Sequence, residues 1–80
     1  MELNVKEQVV AIDRCLAPVV HARTQRTFAM YGNHAAVLSA LDQTMAIDMV
    51  GSLMDGGWVA NAYPNPWNEQ YTVTVYFKRS

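Results

Sequence analysis

Two stretches of the chain repeat apolar residues at the spacing of a helix face, and other stretches alternate apolar with polar residues as strands do. The first helical stretch has its apolar positions at Val5, Val9, Ile12 and Leu16. This spacing predicts an amphipathic helix over residues 5–17, with Asn4 suited to cap its first turn. Pro18 disfavours helical geometry at Ala17 and places the end there, although the apolar pattern also allows a kinked continuation to about residue 22.

The second helical stretch covers residues 41–55 and is followed by Gly56 and Gly57, which can end a helix in the left-handed conformation. Its broad apolar arc consists of Met45, Ala46, Ile47, Met49, Val50, Leu53 and Met54. Its narrower polar stripe consists of Thr44, Asp48, Gly51, Ser52 and Asp55. We expect the arc to be largely buried and the stripe to face solvent.

Alternating residues predict strands over 24–31, 58–63 and 71–78. The last strand should direct Tyr71, Val73, Val75 and Phe77 to one face. It should pair with strand 58–63 as an antiparallel hairpin, because the segment 64–70 between them is rich in turn-forming residues.

The segment 34–40 fits two structures. If Gly32-Asn33 forms a two-residue type II′ turn, residues 34–39 are the returning strand of a hairpin. If Asn33 is a helix cap, the alanines in this segment begin a long helix. We favour the helix, because alanine is depleted in strands.

These elements predict an α+β fold in a single domain over residues 1–80. The fold is a small antiparallel sheet of three or four strands, including the C-terminal hairpin, covered on one side by helices 5–17 and 41–55. A chain of 80 residues that is 51% hydrophobic has room for one core.

Charge is segregated along the chain, although the net charge is only -1. The stretch from Thr27 to Phe77 contains no lysine or arginine. Its acidic residues are Asp42, Asp48, Asp55 and Glu69. A solvated helix face is the simpler explanation of the three aspartates, and the alternative is an acidic face that attracts a basic partner surface.

The sequence offers no catalytic or cofactor-binding motif. It has no phosphate-binding glycine loop, and one cysteine with two distant histidines does not match a zinc-site spacing. Cys15 with His21 or His34 could be read as a nucleophile and its base, but a lone cysteine beside an apolar helix face is more often a small core residue. We therefore predict no enzyme activity, no cofactor and no metal.

The loop between the last two strands carries an aromatic residue between turn formers. Pro64 and Pro66 restrict its backbone, and Trp67 follows them. Tryptophan is enriched at the energetic centres of protein interfaces. The alternative is that Trp67 folds back and covers the edge of the sheet core.

A basic cluster supports a different function. His21, Arg23 and Arg26 lie close in sequence, and Lys78 and Arg79 could join them across a sheet. A chain with six basic residues and no net positive charge has a weak electrostatic footprint for nucleic acid. On this alternative the protein is a small nucleic-acid-binding or regulatory dimer that self-associates through the methionine-rich arc.

The hypothesis that we favour is a non-catalytic protein-binding module. Its size and charge are analogous to those of small phage and mobile-element inhibitors of nucleic-acid machines, such as anti-CRISPR proteins, which block basic surfaces. The partner-binding residues that we predict are Asp42, Asp48, Asp55, Tyr63, Asn65, Trp67 and Glu69. The N-terminus does not resemble a signal peptide and no apolar run is long enough to span a bilayer, which predicts a cytoplasmic protein without membrane contact.

Overall fold

The computed structural model describes residues 4–19 and 29–78, and within them it contains two helices and four strands. In chain order these are α1 (Val5–Leu16), β1 (Ala29–Tyr31), β2 (Ala35–Ala40), α2 (Gln43–Asp55), β3 (Val59–Pro64) and β4 (Tyr71–Tyr76). The strands form one antiparallel sheet in the order β1-β2-β4-β3. Because β4 lies between β2 and β3 and is antiparallel to both, β2, α2 and β3 make a split β-α-β unit. The predicted α+β fold is confirmed.

Helix α1 begins and ends as its sequence predicts. The Asn4 side chain accepts a hydrogen bond of 2.9 Å from the backbone N–H of Glu7, which satisfies a donor of the first turn. Ala17 is the C-cap residue, and the chain turns over residues 17–19. The rest of the possible continuation to residue 22 lies outside the described residues.

Helix α2 begins two residues later than predicted, because Asp42 is its cap rather than a helical residue. The Asp42 side chain accepts a hydrogen bond of 2.8 Å from the N–H of Met45. At the other end Gly57 has a φ of 89°, a left-handed conformation that glycine adopts without a Cβ clash. The predicted glycine termination is confirmed.

The helix that we favoured for residues 34–40 is wrong, because this segment is the strand β2. Ala36 and Ala40 are almost fully buried on the face that the helices cover, where small side chains let a helix approach the sheet. Packing in a central strand has overridden the low strand preference of alanine. Gly32 takes a φ of 55°, and Tyr31 pairs with Ala35, so the turn has three residues instead of the two expected.

The other strands agree with the sequence to within a few residues. Of the predicted strand 24–31, residues 24–28 lie outside the described residues and 29–31 form β1. The C-terminal hairpin is confirmed, with β3 beginning at Val59 and ending at Pro64. Proline fits at this place because β3 is an edge strand of the sheet.

Both helices pack on one face of the sheet and form the core there. The largest fully buried side chains are Ile12, Leu16, Leu38, Met49, Leu53, Val73 and Val75. The predicted burial of Ile47 and Met54 is wrong, because their side chains are 61% and 60% exposed. The apolar arc of α2 is wider than the face that a helix lying on a sheet can bury, so its flank remains outside.

Candidate partner-binding site

Three hydrogen bonds fix the shape of the β3–β4 loop. The N–H of Asn65 donates to the Gln70 carbonyl at 2.9 Å and closes the base of the loop. Within the loop, the N–H of Trp67 donates to Asn65 Oδ1 at 2.9 Å, and the N–H of Gln70 donates to Asn68 Oδ1 at 2.9 Å. Both are Asx turns, in which a side chain takes the place of a backbone acceptor. The loop is thus held by its own asparagines rather than by the core.

Trp67 stands at the tip of this loop and is 90% exposed. The alternative in which it covers the edge of the sheet core is wrong. An exposed indole is apolar area left in water, and covering it would return free energy through the hydrophobic effect. Asn65 already restricts the backbone beside Trp67. Little further conformational freedom would therefore be lost when Trp67 entered a pocket.

The start of α2 lies at the same end of the sheet as this loop. Tyr71 pairs with both Ala40 and Pro64, so β2 ends where the loop begins. The chain then passes through Leu41, an exposed apolar residue, to Asp42. Leu41 was not among the predicted surface residues, because the sequence pattern made it the first residue of the helix 41–55.

The four acidic residues between Thr27 and Phe77 are all exposed, but they do not form one compact cluster. Asp42 and Glu69 lie at the loop end of the molecule, and Asp42 also has a structural task as the cap of α2. Asp48 and Asp55 lie two turns apart on the outer side of α2, about 10 Å along the helix axis. Asp55 is at the opposite end of the helix from the loop. The acids therefore extend along the whole length of α2.

The seven predicted partner-binding residues lie on two surfaces. Tyr63 lies on the face of the sheet opposite the helices, where its hydroxyl is 3.4 Å from Thr74 Oγ1. It cannot share a flat contact with Asp48 and Asp55 on the outer side of α2. Asn65 is half-buried and positions Trp67, so we assign it a supporting place in the loop rather than a contact.

Cys15 packs between the two helices. A Cβ atom added at Gly56 would lie 2.6 Å from Cys15 Sγ, so the thiol occupies the space that the glycine leaves. The Cys15 carbonyl also accepts a hydrogen bond from the Ser52 hydroxyl. His34 is exposed in the β1–β2 turn, where its carbonyl accepts from the N–H of Phe77 at 2.8 Å.

Most of the predicted basic cluster lies outside the described residues. This applies to His21, Arg23, Arg26 and Arg79. Lys78 is described, and its ammonium lies 4.5 Å from the centre of the buried Trp58 ring. The methionine arc proposed for self-association does not form one free surface, because Met49 is buried in the core and Met54 is exposed.

Residues 4–19 and 29–78 contain no group of three or more histidine, cysteine or acidic side chains that could hold a metal ion. Over the same residues, no helix has the length and apolar character needed to cross a bilayer. The chain matches no protein-family model, no curated protein and no solved structure.

Proposed function

We propose that this chain is a non-catalytic protein-binding module that inserts Trp67 into a pocket of a partner protein. The observation that carries the proposal is an indole that is 90% exposed on a loop fixed by two Asx turns. Aromatic anchors of this kind provide much of the binding energy of protein interfaces, and prior ordering of the loop reduces the entropy lost on binding.

The partner surface that suits this module is basic. Residues 29–77 carry Asp42, Asp48, Asp55 and Glu69 and no lysine or arginine, so α2 and the loop themselves contribute only negative charges. Surfaces that bind nucleic acid are strongly basic. We therefore propose that the partner is a nucleic-acid-binding protein and that this chain acts as an inhibitor of its basic surface, in the manner of small phage and anti-CRISPR proteins, in the cytoplasm.

A comparative pull-down tests this function. Tagged wild type, Trp67→Ala and the double variant Asp48→Lys/Asp55→Lys would be incubated with host lysate, and captured proteins quantified by mass spectrometry. Val10→Ala is the matched control, since Val10 is an exposed apolar residue on α1, away from the loop. We expect one protein to be enriched by the wild type and by Val10→Ala, and to be depleted with the other two variants.

The inhibitory part of the proposal needs a second measurement on the captured partner. Purified chain should displace fluorescent DNA or RNA from that partner, and the Trp67→Ala variant should do so more weakly. Equal capture by all four proteins would contradict the binding site. Binding to the partner without displacement of nucleic acid would contradict the inhibitor function alone.

A further inference from the structure

Within residues 4–19 and 29–78, no helix or strand covers one face of the sheet, although two side chains on it, Ala35 and Thr74, are only 5% and 7% exposed. The helices occupy the other face, so the outward residues of β2, β4 and β3 form three rows across the sheet. The rows are Ala35-Tyr76-Val59, Val37-Thr74-Asn61 and Ser39-Thr72-Tyr63. We call these residues the open sheet face. Its large apolar side chains are accessible, with Val59 68%, Tyr63 47% and Tyr76 43% exposed.

The open sheet face has no charge. The strands 29–31, 35–40, 59–64 and 71–76 contain no residue that is ionised at neutral pH. Soluble proteins usually place charged side chains on the solvated face of an antiparallel sheet, where they also prevent edge and face association. Because the face offers no cation, it has nothing to bind a phosphate backbone, and because it offers no anion, it does not attract a basic partner.

Four polar side chains of this face are directed at one another in two pairs. Asn61 Nδ2 donates to the Tyr76 hydroxyl at 3.4 Å, and the Tyr63 hydroxyl is 3.4 Å from Thr74 Oγ1. Both contacts are diagonal pairs between β3 and β4. Polar groups that already have partners within the face can be covered at a smaller desolvation cost, provided that the covering surface is also uncharged.

We propose that the open sheet face is covered by the same face of a second copy of this chain. An uncharged, mainly apolar surface is best complemented by another such surface, and a two-fold axis brings each row against its equivalent. Two sheets packed face to face lie about 10 Å apart, with each helical layer about 10 Å beyond its own sheet. The acidic α2 helices of the two copies would then be separated by several screening lengths, each about 8–10 Å.

Charge also argues against a dimer formed through the exposed apolar side chains of α2. The exposed side chains of Ile47 and Met54 lie on α2 beside Asp48 and Asp55. A dimer formed through α2 would bring the aspartates of both copies together at short range, which opposes association. The open sheet face avoids this repulsion.

The size of the face predicts a weak dimer. Strands of six residues are about 20 Å long, and the three neighbouring strands of the face are about 14 Å wide, which gives roughly 300 Å² of flat area per copy. Side-chain relief raises the accessible area, but the total for the two copies stays below the range of about 1,200–2,000 Å² that stable interfaces bury. We therefore expect a dissociation constant on the order of micromolar. This inference does not depend on the proposed function.

Sedimentation equilibrium over about 1 µM to about 1 mM covers the expected range of dissociation constants. The purified wild type should pass from monomer to dimer. Val59→Glu should weaken the dimer by about tenfold or more, because each dimer would bury two carboxylates. Asn61→Asp, which hardly changes the side-chain shape, should also weaken it. Ile47→Glu is the matched control, a similarly exposed apolar residue on α2, and should dimerise like the wild type.

Circular dichroism would establish that each variant is folded, and Asn61→Asp serves if Val59→Glu does not fold. A wild type that stays monomeric throughout the range would overturn the inference. So would wild-type dimerisation of the folded sheet variants, or an equal loss of dimer in Ile47→Glu.

Discussion

The side-chain amide of Gln8 on α1 makes two hydrogen bonds to the backbone of Lys78, near the other end of the chain. Gln8 Nε2 donates to the Lys78 carbonyl at 2.9 Å, and Gln8 Oε1 accepts from the Lys78 N–H at 2.7 Å. Gln8 is only 3% exposed. The segment after β4 is thereby fastened to α1 by one side chain that acts as donor and acceptor, and the Lys78 ammonium reaches Trp58 from this position.

Replacement of this amide should cost stability. Gln8→Leu keeps the approximate size but leaves two backbone groups without their protein partners, for which we expect a loss of about 1–3 kcal/mol in the free energy of unfolding. Urea denaturation followed by circular dichroism would measure it. Val10→Ala, at an exposed position of the same helix, should stay within about 0.5 kcal/mol of the wild type. An equal midpoint for Gln8→Leu would show that water replaces both bonds without loss.

Substitution by alanine should have opposite effects on stability at Gly51, which lies in α2, and at Gly56, which is the C-cap residue of this helix. An added Cβ at Gly51 meets no atom within 4 Å, whereas at Gly56 it would lie 2.6 Å from Cys15 Sγ. Gly51→Ala should therefore stabilise the protein by about 0.5–1 kcal/mol through the helix preference of alanine. Gly56→Ala should destabilise it by about 1–3 kcal/mol through overpacking.

A double-mutant cycle identifies the cause of the loss at Gly56. In a Cys15→Ala background the sulfur is absent, so Gly56→Ala should cost less than it does in the wild type. An equal cost in both backgrounds would mean that the neighbouring Trp58 ring or the Leu53 carbonyl, each at 3.4 Å from the added atom, is responsible instead.

Two methionines of α2 should differ sharply in their response to truncation. Met49 is fully buried on the inner side of α2, and Met54 is 60% exposed on the flank of the same helix. Met49→Ala should cost about 2–5 kcal/mol, enough to unfold much of a domain of this size. Met54→Ala should change the free energy of unfolding by less than about 0.5 kcal/mol. Similar chemical-denaturation midpoints for the two variants would contradict the orientation of α2.

The sequence predicted those elements in which local and long-range signals agree. In β4 the alternation places Val73 and Val75 on one face, and both are buried there, because a strand pattern and a central position in the sheet require the same residues. The capping of α1 by Asn4 is local chemistry and needed no knowledge of the fold. For these elements the periodicity of the chain was sufficient.

The sequence failed where packing decided against a local preference. Alanine favours helix, yet Ala36 and Ala40 are buried in β2, where pairing with the strands on either side outweighs that local preference. The flank of α2 was misjudged because periodicity shows where the apolar arc is centred but not how much of it a neighbour covers. The candidate site was likewise found only in part, since a one-dimensional pattern cannot show that Tyr63 and Asp48 lie on opposite sides.

Reversal of the α2 charges should slow the approach of the partner. With Asp48→Lys/Asp55→Lys we expect a lower association rate for the partner identified by pull-down and a nearly unchanged dissociation rate, because long-range attraction acts before contact. The difference from the wild type should shrink as salt is raised and the screening length falls below about 8–10 Å. Surface plasmon resonance at several salt concentrations measures both rates. A deficit that does not depend on salt would indicate direct contact by these aspartates.

Variants of the β3–β4 loop should distinguish the contribution of the Trp67 side chain to binding from that of Asn65, which positions it. Trp67→Ala removes the anchor, so the complex should dissociate faster, with a loss of about 2 kcal/mol or more in binding free energy if Trp67 is a hot spot. Asn65→Ala keeps the indole but removes the acceptor that holds the Trp67 N–H. It should weaken binding by a smaller amount, because the loop must be ordered during association.

Asn68→Ala is the matched control for this last comparison, because it removes the second Asx turn, whose donor is Gln70 and not Trp67. In surface plasmon resonance its effect should be smaller than that of Asn65→Ala. Wild-type kinetics for Trp67→Ala, with the fold intact by circular dichroism, would exclude the indole as the anchor. Equal losses for Asn65→Ala and Trp67→Ala would instead mean that Asn65 contacts the partner itself, since loss of loop order alone cannot remove as much binding energy as loss of the side chain that the loop presents.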